Sequence, residues 1–186
     1  AQTEDAAGNR LQAEAPLAQL LAALKTERDA LARATGRYVP LALKIAPDLA
    51  IDEISAIARL TRRHKFDAVI ATNTTVSRPT VYDDPRATEA GGLSGQPLKH
   101  LATTVIRKLY RELKGEIPII GVGGIETADD AWDKLVAGAD AVQIYTTLIY
   151  DGPAVIRRIV TGLALKVKAS GSESLQQAIA RARNST

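Results

Sequence analysis

Two hydrophobic rhythms alternate along this chain: short unbroken apolar runs, and longer stretches in which apolar residues recur at helical spacing. Leu17, Leu20, Leu21 and Leu24 lie three and four residues apart, one stripe of an amphipathic helix. Pro16 suits its first turn, and Gly36 stops it after Ala34. Residues 38–46 read as a strand ended by Pro47 and Asp48, and Asp52 is the expected cap of a helix reaching His64. A second strand covers 67–72. The polar connection that follows, 73–97, is too long for a plain turn in a compact α/β unit and is expected to be functional. Beyond it come a helix over 98–114, a strand over 118–122 and a helix over 127–137 closed by Gly138. A strand over 141–145 and a helix opened by Pro153 and running to Lys168 follow. A terminal helix over 172–183 either packs on the outside or trails off, and residues 1–15 have no hydrophobic period and read as a weakly ordered polar lead.

A helix followed by four βα units predicts a parallel sheet covered by helices. A doubly wound sheet would carry helices on both faces, a barrel on one. The first strand favours the barrel. Leu41, Leu43 and Ile45 share a face apolar enough to hold helices, whereas Ala42, Lys44 and Ala46 share the other. A lysine pointing inward suits a barrel with a ligand at its mouth. A complete eight-unit barrel usually needs about 250 residues or more. The expected α/β fold is therefore the C-terminal half of a (β/α)8 TIM barrel over 16–168, with a terminal helix or tail over 169–186. Its open sheet edges would invite pairing, with the missing half-barrel or with a second copy.

Composition narrows the function classes. The 186 residues are 46% hydrophobic, enough for a real core. With 24 basic against 21 acidic residues, scattered over helical segments, the chain lacks the footprint of a nucleic-acid binder. There is no Cys, which excludes a disulfide framework and a cysteine metal site, and His64 and His100 alone argue against a histidine metal cluster. No apolar run reaches the length of about 18 residues that reads as a membrane span. The chain has no Met and opens on a polar segment, so it is expected to be a fragment or a processed product.

The candidate chemistry collects at strand ends. Residues 118–125 join an apolar run to Gly121, Gly123 and Gly124, with a helix starting just beyond. Strand, glycine turn and helix N-terminus make an anion site from backbone N–H groups, although the spacing is not that of G-x-G-x-x-G. Tyr145 and Thr146 end the fourth strand, and the last loops of barrels commonly build a phosphate site. Gly123, Gly124, Tyr145 and Thr146 would then surround one phosphate, although Tyr145 alone also reads as a packing aromatic. Lys44 in an apolar strand needs a compensating partner. It is either an ion-paired or snorkelling core lysine, or a cation set against the N1/O2 edge of a flavin, where it would stabilise the reduced ring. Thr72, Asn73 and Thr74 follow the second strand and offer an amide and hydroxyls to a small polar ring, or form a simple Asx/Ser-Thr turn. Gly91–Gly95 is no nucleophile elbow, because Gln96 stands where the last glycine is required. Gly95 suits a close backbone approach to a ligand, or a flexible hinge.

Lys-Ile-Ala-Pro-Asp-Leu (44–49), Ile-Ala-Thr-Asn-Thr-Thr (70–75), Gly-Gly-Leu-Ser-Gly (91–95), Ile-Ile-Gly-Val-Gly-Gly-Ile (119–125) and Val-Gln-Ile-Tyr-Thr (142–146) stand in an informative order. In that order and spacing they resemble the dihydroorotate dehydrogenase family, specifically its quinone-linked class. The first two motifs separate this class from the soluble, cysteine-using one. The resemblance implies an FMN-containing barrel that oxidises dihydroorotate to orotate in pyrimidine synthesis, peripheral to the cytoplasmic side of the cell membrane. It implies that Lys44 and Thr72 contact the flavin and that Asn73 and Thr74 hold the substrate. Gly95 would touch the cofactor, and Gly124, Tyr145 and Thr146 its phosphate end, beside Gly123. In the family a serine base takes a proton from C5 as hydride leaves C6 for the flavin, and the reduced flavin passes electrons to quinone. That serine lies in an Asn-x-Ser-Ser-Pro-Asn loop upstream of the helix over 16–34, where residues 1–10 contain no Ser. No catalytic base is therefore assigned in this chain, which alone is expected to be inactive, and the N-terminal part that forms the quinone tunnel is absent from it. Two other readings stay open: another FMN- or phosphate-binding barrel, such as a hydroxy-acid oxidase or a sugar-phosphate isomerase, and a non-catalytic, self-assembling half-barrel that binds a phosphate-bearing ligand.

Overall fold

The structure, a computed structural model, describes residues 14–185; the remainder of the polar lead expected over 1–15 lies outside the described residues. A four-stranded parallel sheet holds β1 (Ala42–Ile45), β2 (Ala68–Ala71), β3 (Ile119–Val122) and β4 (Ala141–Gln143), neighbours in chain order. Around it run α1 (Glu14–Thr35), α2 (Ile51–Arg63), α3 (Lys99–Leu113), α4 (Ala128–Ala137), α5 (Thr146–Asp151), α6 (Ala154–Ala169) and α7 (Leu175–Asn184).

Parallel strands taken in sequence, with crossovers of one hand, put their helices on one face of the sheet. Ile45, Val69, Ala71 and Ile119 pack outward into a core with Leu17, Leu21, Ile57, Ile106 and Leu109. A smaller core joins Ile125, Ala131, Val155 and Ile159, with Val142 of β4 packed against it. The other face carries Ala42, Lys44, Ala141 and Gln143, all exposed. A doubly wound sheet would cover that face with helices. The helix-coated outside and open inside are those of half a (β/α)8 barrel, as the alternation around Lys44 predicts.

Local details depart from the sequence reading in instructive places. Asp52 does not cap α2: Ala50 occupies the N-cap, and Glu53 Oε2 accepts its N–H at 2.7 Å. Asp52 lies inside the first turn, where its charge complements the helix dipole, with Arg62 and Arg63 at the far end. The strands are shorter than their apolar runs. Residues 38–41 precede β1, where the Asp67 carboxylate accepts the Leu41 N–H at 2.7 Å and the Tyr38 hydroxyl. The last run stops at Gln143, because Thr146 already begins the short helix α5, an element absent from the sequence reading.

The C-terminal helix α7 is docked. Arg183 donates to the carbonyl of Leu135 at 2.7 Å and lies over the Tyr110 ring, 4.6 Å from its centroid. A charged hydrogen bond of this kind contributes about 1.5–3 kcal/mol. Arg183→Ala should therefore lower stability by about that amount and free the amides of α7 to exchange while β1–β3 stay protected. Unchanged α7 protection in hydrogen exchange would show that this contact does not hold the helix.

Candidate functional site

In a parallel sheet every strand delivers its C-terminal end to the same rim, so the segments that follow the strands meet there. At this rim lies a cavity of about 200 Å³ lined by Lys44, Thr72, Asn73, Thr74, Gly95, Gly123, Gly124, Tyr145 and Thr146, whereas Gly121 faces the helices on the outside of the sheet.

The turn after β3 forms one wall. Gly124 has φ +67°, and a Cβ there would stand 2.5 Å from Lys99 Cβ and 2.6 Å from Lys99 N, so only glycine lets the turn lie on the start of α3. The amides of Gly123 and Gly124 donate no hydrogen bond among the described residues. The end of β4 forms the next wall. Tyr145 is 73% exposed, so it is no packing aromatic. Thr146 Oγ1 donates to Ser94 Oγ at 3.1 Å. The end of the long connection is thereby drawn to β4, and Gly95 comes so close that a Cβ would lie 3.3 Å from Thr146 Cγ2.

The opposite wall is β1 and β2. Lys44 projects from the open face of β1 into the cavity and is solvent-exposed, rather than sealed in a core. The Asn73 N–H donates to Ile45 O at 2.7 Å and the Thr72 N–H to Val122 O at 3.1 Å, so the segment after β2 is stitched between its neighbours. The Ala71–Thr72 peptide is cis. Thr74 packs against Gly92, where a Cβ would stand 1.9 Å from its Oγ1. The long connection folds back on itself through the reciprocal backbone bonds of Thr75 and Leu93, at 3.1 and 2.7 Å. Asp48 anchors it by accepting from Thr75 Oγ1 and the Val76 N–H. These contacts tie the connection to the rim.

Behind the glycine turn sits a polar network. Asp130 in α4 accepts the N–H groups of Glu126 and Thr127 at 3.0 and 2.8 Å and pairs with the Lys99 ammonium. Burial alone would raise the Asp130 carboxyl. The Lys99 ammonium, the Thr127 hydroxyl and the two amides outweigh it and hold the group below the usual carboxylate range. Lys134 is fully buried and donates to the Lys99 carbonyl at 2.9 Å and to Thr103 Oγ1 at 2.7 Å. Burial, reinforced by the Lys99 charge, pulls its pKa down to about 8.

Sequence reasoning missed Ser94, Glu126, Gln143 and Thr147, which also line the cavity. Strand alternation could have found Gln143, two residues before Tyr145 on the same side. The pattern Thr127-x-x-Asp130 resembles a capping box and could have flagged Asp130. Nothing in the sequence marks Lys134 among the other helical lysines.

The residues suit a phosphomonoester bound to a polar ring. Glycines without room for a Cβ, whose N–H groups donate no hydrogen bond among the described residues, line one side of the cavity, and a cation with an amide and hydroxyls lines the other. The volume is below the range of about 300–1000 Å³ usual for small-molecule sites.

Comparison with known proteins shows the family of the chain. Residues 4–167 match the sequence profile of the family described as dihydroorotate dehydrogenase. The chain is 55% identical over 145 residues to the dihydroorotate dehydrogenase (quinone) of Aeromonas salmonicida, covering 78% of this chain and 43% of that protein. It is 53% identical over 154 residues to the protein of the same name from Thiobacillus denitrificans, covering 83% and 46%. A crystal structure of DHODH from Eimeria tenella in complex with ferulenol superposes with a TM-score of 0.85 at 37% identity, covering 91% of this chain and 49% of that one. The chain thus spans a little under half the length of the curated relatives it matches.

The Lys134 pKa has a consequence for stability. The unfolded chain keeps this proton up to about 10.5 and the folded chain releases it near 8, so between those values the unfolded state binds more protons. The cost of burying the ammonium is therefore full below pH 8 and fades as pH rises toward 10.5. In denaturant titrations across pH 7 to 10, Lys134→Met should remove this upward contribution. Parallel pH profiles for the two proteins would refute it.

Proposed function

Because this chain belongs to the dihydroorotate dehydrogenase family, we propose that it supplies the flavin-phosphate side of a quinone-linked enzyme that oxidises dihydroorotate to orotate in pyrimidine synthesis, with FMN as cofactor. One observation carries the reading: the glycine turn after β3, the end of β4 and Lys44 of β1 face a single cavity at the strand ends. The curated relatives bear the matching name.

In this reading the amides of Gly123 and Gly124, flanked by Gly95, Tyr145 and Thr146, hold the phosphate end. Backbone donors fixed by a packed turn need no reorganisation when an anion arrives. Lys44 and Thr72 face the ring, and the Lys44 ammonium favours electron-rich states of whatever lies against it. Asn73 and Thr74 orient the substrate. When bound, FMN supplies the electron-accepting chemistry. The base that takes the proton from dihydroorotate belongs to a loop outside these 186 residues, which contain no Asn-x-Ser-Ser-Pro-Asn segment.

The proposed partner is the other half of the barrel. Among the described residues, both β1 and β4 have one unpaired edge. Beside them α1 exposes Leu20, Leu24 and Leu31, and α6 exposes Ile156, Val160 and Leu165. Apolar helix faces next to free strand edges fit the flanks of a second half-barrel; without it, a second copy meets the same need. Quinone would be reached through the other part, at the cytoplasmic side of the cell membrane. No helix among the described residues is long and apolar enough to cross a membrane.

The 186-residue polypeptide alone should show no dihydroorotate oxidation, and adding the preceding barrel segment should restore it; turnover by the isolated chain would refute this division of labour. In the complete enzyme Lys44→Ala should slow flavin reduction by dihydroorotate about a hundredfold, the order expected for one electrostatic stabiliser. Unchanged reduction in stopped-flow absorbance would favour a different phosphate-binding barrel.

A further inference from the structure

Lys99 and Asp130 touch no part of the cavity, yet they determine where its glycine wall can lie. Gly124 rests on Lys99, with no space for a Cβ between them. Lys99 is in turn held at two points: its ammonium by Asp130 Oδ1, and its carbonyl by the buried Lys134 at 2.9 Å. The other oxygen of Asp130 takes the N–H groups of Glu126 and Thr127 and the Thr127 hydroxyl at 2.8 Å. One carboxylate therefore binds the far end of the turn with one oxygen and the first residue of α3 with the other. Gly123 and Gly124 are suspended between these two attachments.

The geometry points to Asp130 as a positioning residue for phosphate recognition: through Lys99 and the turn, it sets the direction of the Gly123 and Gly124 amides. This rests on the reading of the cavity as an FMN site. It carries a sign that separates it from simple electrostatics. A carboxylate near an anion site repels the anion, so deleting it should tighten phosphate binding if only charge mattered. If Asp130 works by holding the amides, deleting it should weaken phosphate binding. A role confined to capping α4 would lower stability and weaken all flavins alike.

The test is titration of the flavin-stripped complete enzyme with FMN and with riboflavin, which lacks the phosphate, followed by flavin fluorescence. The unaltered enzyme should prefer FMN strongly. Asp130→Ala should reduce that preference at least tenfold, with riboflavin affinity changed less than twofold. Should the alanine variant not fold, Asp130→Asn keeps an oxygen for the turn amides while losing the Lys99 pair, and should reduce the preference at least threefold. A preference that is unchanged or increased, or parallel loss for both flavins, would overturn the role of Asp130. An unaltered enzyme that binds the two flavins equally would instead overturn the assignment of the glycine wall to phosphate, and the inference with it.

Discussion

The contact between Gly124 and the first residue of α3 is the constraint on which the rim of this sheet depends. Any side chain at position 124 would strike Lys99 within 2.6 Å, and its positive φ is one that other residues rarely adopt. Three positions earlier, Gly121 meets the same demand on the outside of the sheet, where a Cβ would lie 3.1 Å from both Ala139 Cβ and Ile106 Cδ1. The glycines of this strand thus serve different ends. Gly121 lets α3 and α4 close on the sheet, and Gly124 lets the turn settle onto α3. With the helices that close, Gly123 and Gly124 come to line the cavity, and their N–H groups donate no hydrogen bond among the described residues.

The second organising fact is that the sheet is coated on one side. Ile45, Val69 and Ile119 are sealed under helices while Lys44 and Gln143, one residue out of phase, look into open space. An ammonium on such a face is comfortable while water reaches it. Closing the barrel would strip that water, and desolvated charge is tolerated only beside a counter-charge or dense hydrogen bonding. A lysine in this position therefore makes physical sense when the completed barrel holds an electron-rich ligand against it. The proposed half-barrel partner and ligand are linked by this requirement: a closure that buried the apolar flanks of α1 and α6 would also oblige Lys44 to have a partner.

Much of this was legible because parallel α/β architecture converts strand ends into site positions. Lys44 could be placed by alternation, Gly123 and Gly124 by the collision of an apolar run with glycines, and Thr72–Thr74 by where their strand had to stop. What escaped was set by contacts between distant segments. Thr146 looked like the tail of a strand, and only its bond to Ser94, fifty-two positions away, and the early turn into α5 give it its place. Asp52 seemed a natural cap, but the N-cap falls two positions earlier, at Ala50, and recruits Glu53 instead. Lys134 read as one more solvated lysine on an amphipathic helix. Its burial arises from the packing of α4 on α3, a tertiary fact with no periodic trace.

In the proposed reading, the hidden network lets the glycine turn serve as a phosphate wall with little side-chain charge of its own. Among the described residues lining the cavity Lys44 is the only cation, and it stands on β1, across from the glycine turn; Glu126 is acidic. The nearest ammonium behind the turn, Lys99, is already paired with Asp130 and lies beside Asp133 at 3.5 Å. Attraction for an anion must then come chiefly from backbone N–H dipoles, whose effect depends steeply on direction. A free lysine can follow a mobile phosphate, whereas an amide must already point at it. A site of this kind gains from rigidity behind the turn more than from charge within it. On the proposed reading, a carboxylate and two lysines, bonded to one another one layer beneath the turn, would supply that rigidity.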